Sequence, residues 1–434
     1  MRHLLPTPRP LRSALAASVL GVTLAGVMYA ADTPDLPIAR AETVGMSSQR
    51  LQRVRAFVQQ HIDANQIAGA VTLVARKGKV VHFENQGWRY KEEQSQMEKD
   101  TIFSLMSMTK PIVSVALMML WEEGKFMLDD PISKWLPSYA NKTVADTGPG
   151  RLAVGRPVTV RHVLAHTSGL SLTSTSYQAG AGGAAARPKT LLEAIERAAP
   201  IPLAFQPGER WQYGSSTDYV AILVEKISGM PLDQFLQQRI FDPLGMRDTH
   251  YNIPKDKVGR VSAVYRPDAN GKITLSVKPE FREPTTYFPG VAGLSGTTAD
   301  YFRFCQMLLN GGEYNGQRLL GRMTVNMMIS NQIGADKPVY VRGDGFGFGL
   351  GFGILLDPSK APDALSIGSF MWGGAQGTIF WIDPVEDLIG IQMIQISPYN
   401  HFNIRPLFSV VVSQAITDSL ANQKPTIMGY ATPH

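Results

Sequence analysis

The segment SSQRLQRVRAFVQQHID carries Leu51, Val54, Phe57, Val58 and Ile62 at helical spacing behind a Ser cap, which predicts an amphipathic helix. Two β-rich runs follow, Ala70 to Arg76 and Lys79 to Asn85, meeting at Lys77-Gly78 in the pattern of a hairpin. From Met108 the helical period dominates. It runs through the apolar stretch after Pro111, TVRHVLAHTSGL, KTLLEAIERA, TDYVAILVEKISG, PLDQFLQQRIFDPLG and TADYFRFCQMLLNGG, most of them closed by Gly. From Phe346 strand-like runs return, FGFGLGFGILLD, GSFMWGGAQGTIFWIDP and DLIGIQMIQI, before a last helix near Pro406 to Leu420. The order αββ, helices, βββα predicts an α/β (α+β) fold: one antiparallel sheet built from both chain ends and flanked by helices, with an all-α insertion. The sheet part falls at about 45–105 and 300–425, the helical part at about 106–299. A site is expected where the two parts face each other. Between Thr173 and Pro188, TSTSYQAGAGGAAARP is too rich in Gly and Ala to pack and reads as a mobile surface loop.

Composition adds that this is an ordinary globular chain. Of 434 residues, 44% are hydrophobic and 18% charged, which excludes a disordered or coiled-coil class. The net charge of +6 comes partly from Arg2, Arg9 and Arg12, which precede the first acid, Asp32. The remaining near-neutral balance gives no ground for a nucleic-acid partner. Those arginines open a basic stretch followed by an uncharged apolar run from Ala14 to Met28, so residues 1–30 read as a secretory signal and the mature protein as periplasmic or secreted. Met28 or Tyr29 stands where a small residue is preferred for cleavage, which leaves an uncleaved membrane anchor as the alternative. The one cysteine, Cys305, sits in an apolar helical pattern and reads as a small buried hydrophobe. His82, His162, His166, His250 and His401 form no metal-binding spacing, and no G-x-S-x-G elbow is present, so no metal and no cofactor are expected. His166 reads as a hydrogen-bonded structural residue, with a Ser-His pairing as the alternative.

The sharper signal is FSLMSMTKPIVSVALMML. Ser107 and Lys110, three apart, fall on one helix face, close enough for the amine to touch the hydroxyl. Apolar neighbours and a helix N-terminus both penalise a charged Lys, so its pKa, about 10.4 in water, is expected to fall towards that of a base. Lys110 then takes the Ser107 proton, and the helix-start amides face a developing oxyanion. Pro111 is tolerated only in a first turn, which puts Ser107 at the helix start. Taken alone, such a pair arises about once by chance in a chain this long.

This segment resembles the nucleophile segment of the serine β-lactamase and penicillin-binding-protein superfamily, above all its class C-like branch and the family VIII carboxylesterases. Further segments match in order: VLAHTSGL (163–170), FQPGERWQYGSSTDYVAILVEKISG (205–229), FDPLGMRDT (241–249), GVAGLSGTTADYFRF from Gly290 and MWGGAQGTIFWIDP from Met371. The resemblance implies a β-lactamase-like fold from about residue 40 to 415. It implies a second catalytic element at Tyr213-Gly214-Ser215, where the Tyr213 phenol relays a proton between nucleophile and leaving group. Its third element falls on Trp372-Gly373-Gly374, and the Ala375 N–H pairs with that of Ser107 as the oxyanion hole. Trp372, Gly373, Gly374 and Ser215 would contact substrate. Two departures stand out: Ser215 occupies the place of an Asn, and Trp372 the place of a Lys that would bind a substrate carboxylate. Both point away from β-lactams. The expectation is a serine hydrolase acting through an acyl-enzyme on small carboxylic esters. A β-lactamase or D-Ala-D-Ala carboxypeptidase/D-aminopeptidase is one alternative, and a non-catalytic envelope ligand-binding protein the other. The expected partner is a small-molecule ester or amide substrate.

Overall fold

The computed structural model describes Met1 and residues 36–145, 151–170, 188–334, 336–399 and 402–419. The proposed signal segment beyond Met1, and the Gly/Ala-rich loop before Pro188, lie outside the described residues.

The first helix, α1 (Ser48–Asp63), starts where the pattern placed it. Ser47 caps it by accepting the Arg50 N–H at 3.2 Å, and Leu51, Val54 and Val58 form its buried face. Next come β1 (Gly69–Arg76), β2 (Lys79–Tyr90) and β3 (Ser95–Gln96). Lys77 and Gly78 both take positive φ, 49° and 71°, the geometry of a tight hairpin turn whose twist matches its strands. The nucleophile helix α2 (Thr109–Glu122), then α3 (Ser216–Ser228) and α4 (Thr298–Leu309), lead to a second set of strands. These are β4 (Phe346–Phe348), β5 (Gly353–Leu355), β6 (Phe370–Gly373), β7 (Ile379–Asp383) and β8 (Leu388–Met393), closed by α5 (Ile404–Ser413).

The eight strands make one antiparallel sheet in the order β4-β5-β6-β7-β8-β1-β2-β3. Its two halves, from opposite ends of the sequence, join where Val71 faces Met393 and Arg76 faces Leu388. Every residue of β1, β7 and β8 is buried, so both faces of the central sheet are covered and the strands read as near-continuous apolar runs. Helices α1 and α5 pack on each other and on this sheet, and α4 packs on β1 and β8. Cys305 is a fully buried member of α4.

The region between the sheet halves is helical, with two departures from the pattern reading. Thr143–Ala145 pairs with Arg151–Ala153, and Val264–Pro267 with Ile273–Val277, so the insertion carries two short ribbons among its helices. The segment after Thr159 is helical only over Val160–Leu164, because His166 adopts a positive φ of 56° that no α-helix accommodates. Near the site, α2 packs on α3 and Phe103–Ser104 pairs with Ser295–Gly296.

Candidate active site

Ser107 sits in a tight turn, Met106–Met108, that feeds directly into α2, with Lys110 and Pro111 in the first α-turn. Proline therefore sits where its missing N–H costs no helix bond. Met106, just before Ser107, has φ 49°, a left-handed conformation that costs a side-chain-bearing residue roughly 1–2 kcal/mol. The strain is held from outside the turn: Leu105 N–H donates to Leu294 O at 2.9 Å, and Tyr301 Oη donates to Met108 O at 3.0 Å.

Lys110 is only 3% exposed, and its Nζ meets three groups. It donates to Ser107 Oγ at 3.2 Å and to Val291 O at 2.9 Å, and it lies 4.6 Å from the centroid of the Tyr213 ring. These contacts point the nitrogen at both the Ser107 hydroxyl and the Tyr213 ring. The pair expected from sequence is thus assembled, and Tyr213 closes it from a segment about a hundred residues away.

Tyr213 is fixed on every side. Its phenol oxygen accepts the Trp372 indole N–H at 3.2 Å, and its backbone N–H donates to Tyr340 Oη at 3.0 Å. The rings of Trp211 (stacked, 6.1 Å), Trp372 (5.2 Å) and His166 (5.2 Å) surround its own. His166 is buried beside it, and burial, with Lys110 nearby, pushes its pKa down to about 3, so it stays neutral at any working pH. Its Nδ1 has no partner among the described residues. His166 is a structural residue whose carbonyl accepts the Gln212 N–H at 2.9 Å and whose ring packs among aromatics.

The third element runs against the nucleophile turn. A Cβ on Gly374 would lie 2.5 Å from Leu105 O and 3.2 Å from the Met106 Cβ, so only glycine allows this approach. Gly373 closes β6, and Ala375 follows on an exposed turn. No bond from the Ala375 N–H to another backbone group is found among the described residues. Trp372 is 4% exposed and spends its N–H on Tyr213. Ser215 is buried at the start of α3, and its Oγ has no partner among the described residues.

Two charged residues escaped the sequence reading. Asp218, in the first turn of α3, is 1% exposed and accepts the Val291 N–H at 3.0 Å. Burial raises its pKa to about 6, opposed by that amide bond, the Lys110 charge and the Gly290 amide. Arg405, in the first turn of α5, donates to Gly374 O, to Thr378 O at 2.8 Å and to Gly377 O at 3.4 Å. Burial lowers its pKa to about 10, and no carboxylate among the described residues pairs with it. The signal for both was the same: a single charge inside an otherwise apolar helix face. Among the described residues no group of three or more His, Cys, Asp or Glu could hold a metal, and no helix is long and apolar enough to cross a membrane.

Comparison with known proteins agrees with this geometry. The family model described as Beta-lactamase matches residues 54–407. Protein Rv1367c of Mycobacterium tuberculosis is 32% identical over 367 residues, covering 79% of this chain and 90% of its own. Esterase EstB of Burkholderia gladioli is 30% identical over 359 residues, covering 76% of this chain and 86% of its own. Among solved structures, EstCE1, described as a hydrolase with promiscuous acyltransferase activity, superposes with a TM-score of 0.72 at 25% identity, covering 85% of this chain and 99% of its own. An antiparallel sheet from both chain ends, a helical insertion and a Ser-x-x-Lys turn at their junction thus come with a family match over most of the sequence: this chain is a serine hydrolase belonging to the beta-lactamase family.

Proposed function

We propose that the protein is a carboxylesterase that cleaves small, short-chain esters through an acyl-enzyme at Ser107. Ser107 Oγ attacks the ester carbonyl carbon as its proton passes to Lys110 Nζ, 3.2 Å away. The negative oxygen of the tetrahedral intermediate takes the N–H groups of Ser107 and Ala375. Collapse breaks the ester C–O bond; the leaving alkoxide takes the Tyr213 proton, and Lys110 returns the first proton to Tyr213. Water then attacks the acyl-enzyme by the reverse route and frees the acid.

The observation that carries the ester reading is the Trp372 N–H on Tyr213 Oη. A Lys at this position would bind the carboxylate of a β-lactam or a peptide terminus. Trp372 brings no cation, and its one polar group is already committed to steadying the phenol oxygen. An ester has no carboxylate to satisfy. The similarity to esterase EstB and to EstCE1 supports the same reading. The basic and apolar character of residues 1–30 supports action after export.

The test is hydrolysis of p-nitrophenyl butyrate and of a chromogenic cephalosporin by wild type, Ser107→Ala and Lys110→Ala, with fluorophosphonate labelling alongside. Butyrate should be the better substrate by kcat/KM, and loss of Ser107 should cost about 10⁴-fold or more. A better cephalosporin turnover would make the protein a β-lactamase. Absence of labelling at Ser107 would make it a binding protein.

A further inference from the structure

We propose that Asp218 is a positioning residue of the reaction: by gripping the Gly290–Val291 loop it holds the Val291 carbonyl on Lys110, and so aims the Lys110 amine at Ser107. The inference rests on the roles assigned above to Ser107 and Lys110. Val291 is the strut. Its N–H donates to Asp218 Oδ1 at 3.0 Å, and its carbonyl accepts from Lys110 Nζ at 2.9 Å, so one residue spans acid and amine.

The loop can reach this position only because residue 290 is glycine. A Cβ there would lie 2.1 Å from Thr217 O and 2.9 Å from the Ala221 Cβ, inside the backbone of α3. Glycine at 290 and aspartate at 218 therefore act together: one lets the loop lie flat on the first turn of α3, and the other ties it there. Without the tie, Lys110 keeps Ser107 and the Tyr213 ring as neighbours but loses the acceptor at 2.9 Å that fixes its direction.

A plainer role for an acid at this place is to cap its own helix. That role is not taken up. No side chain caps the N-terminus of α3, and the Asp218 carboxylate turns to Val291 instead of back to the Ser215 N–H. An ion-pair role is not taken up either, since no cation among the described residues lies within salt-bridge distance of it. The titratable groups that face the carboxylate are Lys110 from α2, and Tyr251 and Tyr287 from the segment after α3. Of these only Lys110 can carry a positive charge. A strut that had only to accept one N–H could be an asparagine. A buried carboxylate is costly, and the group that gains from its charge is the Lys110 cation formed when Ser107 gives up its proton.

The experiment uses the full chain and p-nitrophenyl butyrate at pH 5 to 9, with the rate of fluorophosphonate labelling and thermal unfolding measured on the same samples. Asp218→Ala should lower kcat about 100-fold with KM within about twofold, and slow labelling in parallel. Asp218→Asn keeps an acceptor for Val291 but no charge; it should lower kcat about tenfold and lack the acid-side inflection near pH 6 expected of wild type. If Asp218→Ala fails to fold, Asp218→Asn decides. A kcat for Asp218→Asn within twofold of wild type with an unchanged pH profile overturns the inference, as does a loss fully explained by fewer labelled, folded sites. Ser107→Ala and Lys110→Ala run beside them. If these two are inactive while the Asp218 variants are normal, only this inference falls. If Ser107→Ala still cleaves the ester, the esterase reading falls with it.

Discussion

The site has two walls, and each hides an ionisable group behind main chain, with opposite signs. On the nucleophile wall, where α2 meets α3, buried Asp218 takes a backbone N–H, and the same residue's carbonyl turns to Lys110. On the oxyanion wall, where β6 turns into β7, buried Arg405 takes backbone carbonyls at residues 374, 377 and 378. In the proposed mechanism the acid sits behind the residue that becomes positive when Ser107 is deprotonated, and the cation behind the turn that would receive the negative oxygen. Because Gly374 O and Ala375 N–H belong to one planar trans peptide, they point in opposite directions; a guanidinium pulling on the carbonyl turns the N–H away from itself. On the proposed mechanism one device is used twice: a buried charge orients a peptide, and the peptide, not the charge, would touch the reacting groups.

Removing the Arg405 cation should break the comparison most visibly. Arg405→Met leaves Gly374 O with only the Gly377 N–H and Thr378 O with only the Gly374 N–H, so the Ala375 peptide loses its charged anchor. Its kcat for p-nitrophenyl butyrate should fall about 100-fold or more, the scale of a lost oxyanion donor, with KM little changed. Arg405→Lys keeps the charge without the fork and should recover only part of the loss. A kcat for Arg405→Met within threefold of wild type, in protein that still unfolds cooperatively, would mean that the oxyanion wall is rigid without its cation and that the two walls are not alike.

Trp372 joins the walls, since it stands on β6 and donates to Tyr213. Trp372→Phe keeps most of the ring volume and removes the N–H, so Tyr213 loses one partner of its oxygen. A loss of about tenfold in kcat is expected, the worth of one hydrogen bond to a group that gains charge. An unchanged kcat would reduce the indole to a packing role and remove the link between the walls.

What the sequence made legible follows the same division. Ser107 and Lys110 are neighbours on one turn and can be paired from the residues themselves, whereas Tyr213 and Trp372 are named only through the resemblance to the family. The sheet was legible because its central strands are buried on both faces and read as unbroken apolar runs. The two ribbons were not, because strands of three to five residues carry too little pattern to stand out among helices. Asp218 and Arg405 were hidden for a different reason. Lys110 meets Val291 across 181 residues and Asp218 meets Val291 across 73, and in both contacts the partner is main chain, which has no letter in the sequence. Met106 and His166 escaped likewise, since their left-handed backbone is imposed by neighbours and not by residue type.

The smallest effect expected is on stability, and it separates an acid kept for catalysis from one kept for folding. Burial raises the Asp218 pKa from 3.8 to about 6 in the folded chain. The folded state therefore holds the proton more tightly than the unfolded one. Its stabilising contribution is fully present below the unfolded pKa and fades as pH rises through about 6, a change on the order of 3 kcal/mol across that window. Asp218→Asn does not titrate. The difference in Tm, variant minus wild type, should therefore grow by a few degrees between pH 4 and pH 8, even as the variant loses activity. If thermal unfolding gives the same difference at both ends, the carboxylate ionises as readily in the folded protein as in the unfolded chain, and the nucleophile wall lacks the desolvated charge that makes it the counterpart of Arg405. A growing difference together with lowered kcat means that the fold tolerates an unfavourable ion at Asp218 because Lys110 needs it.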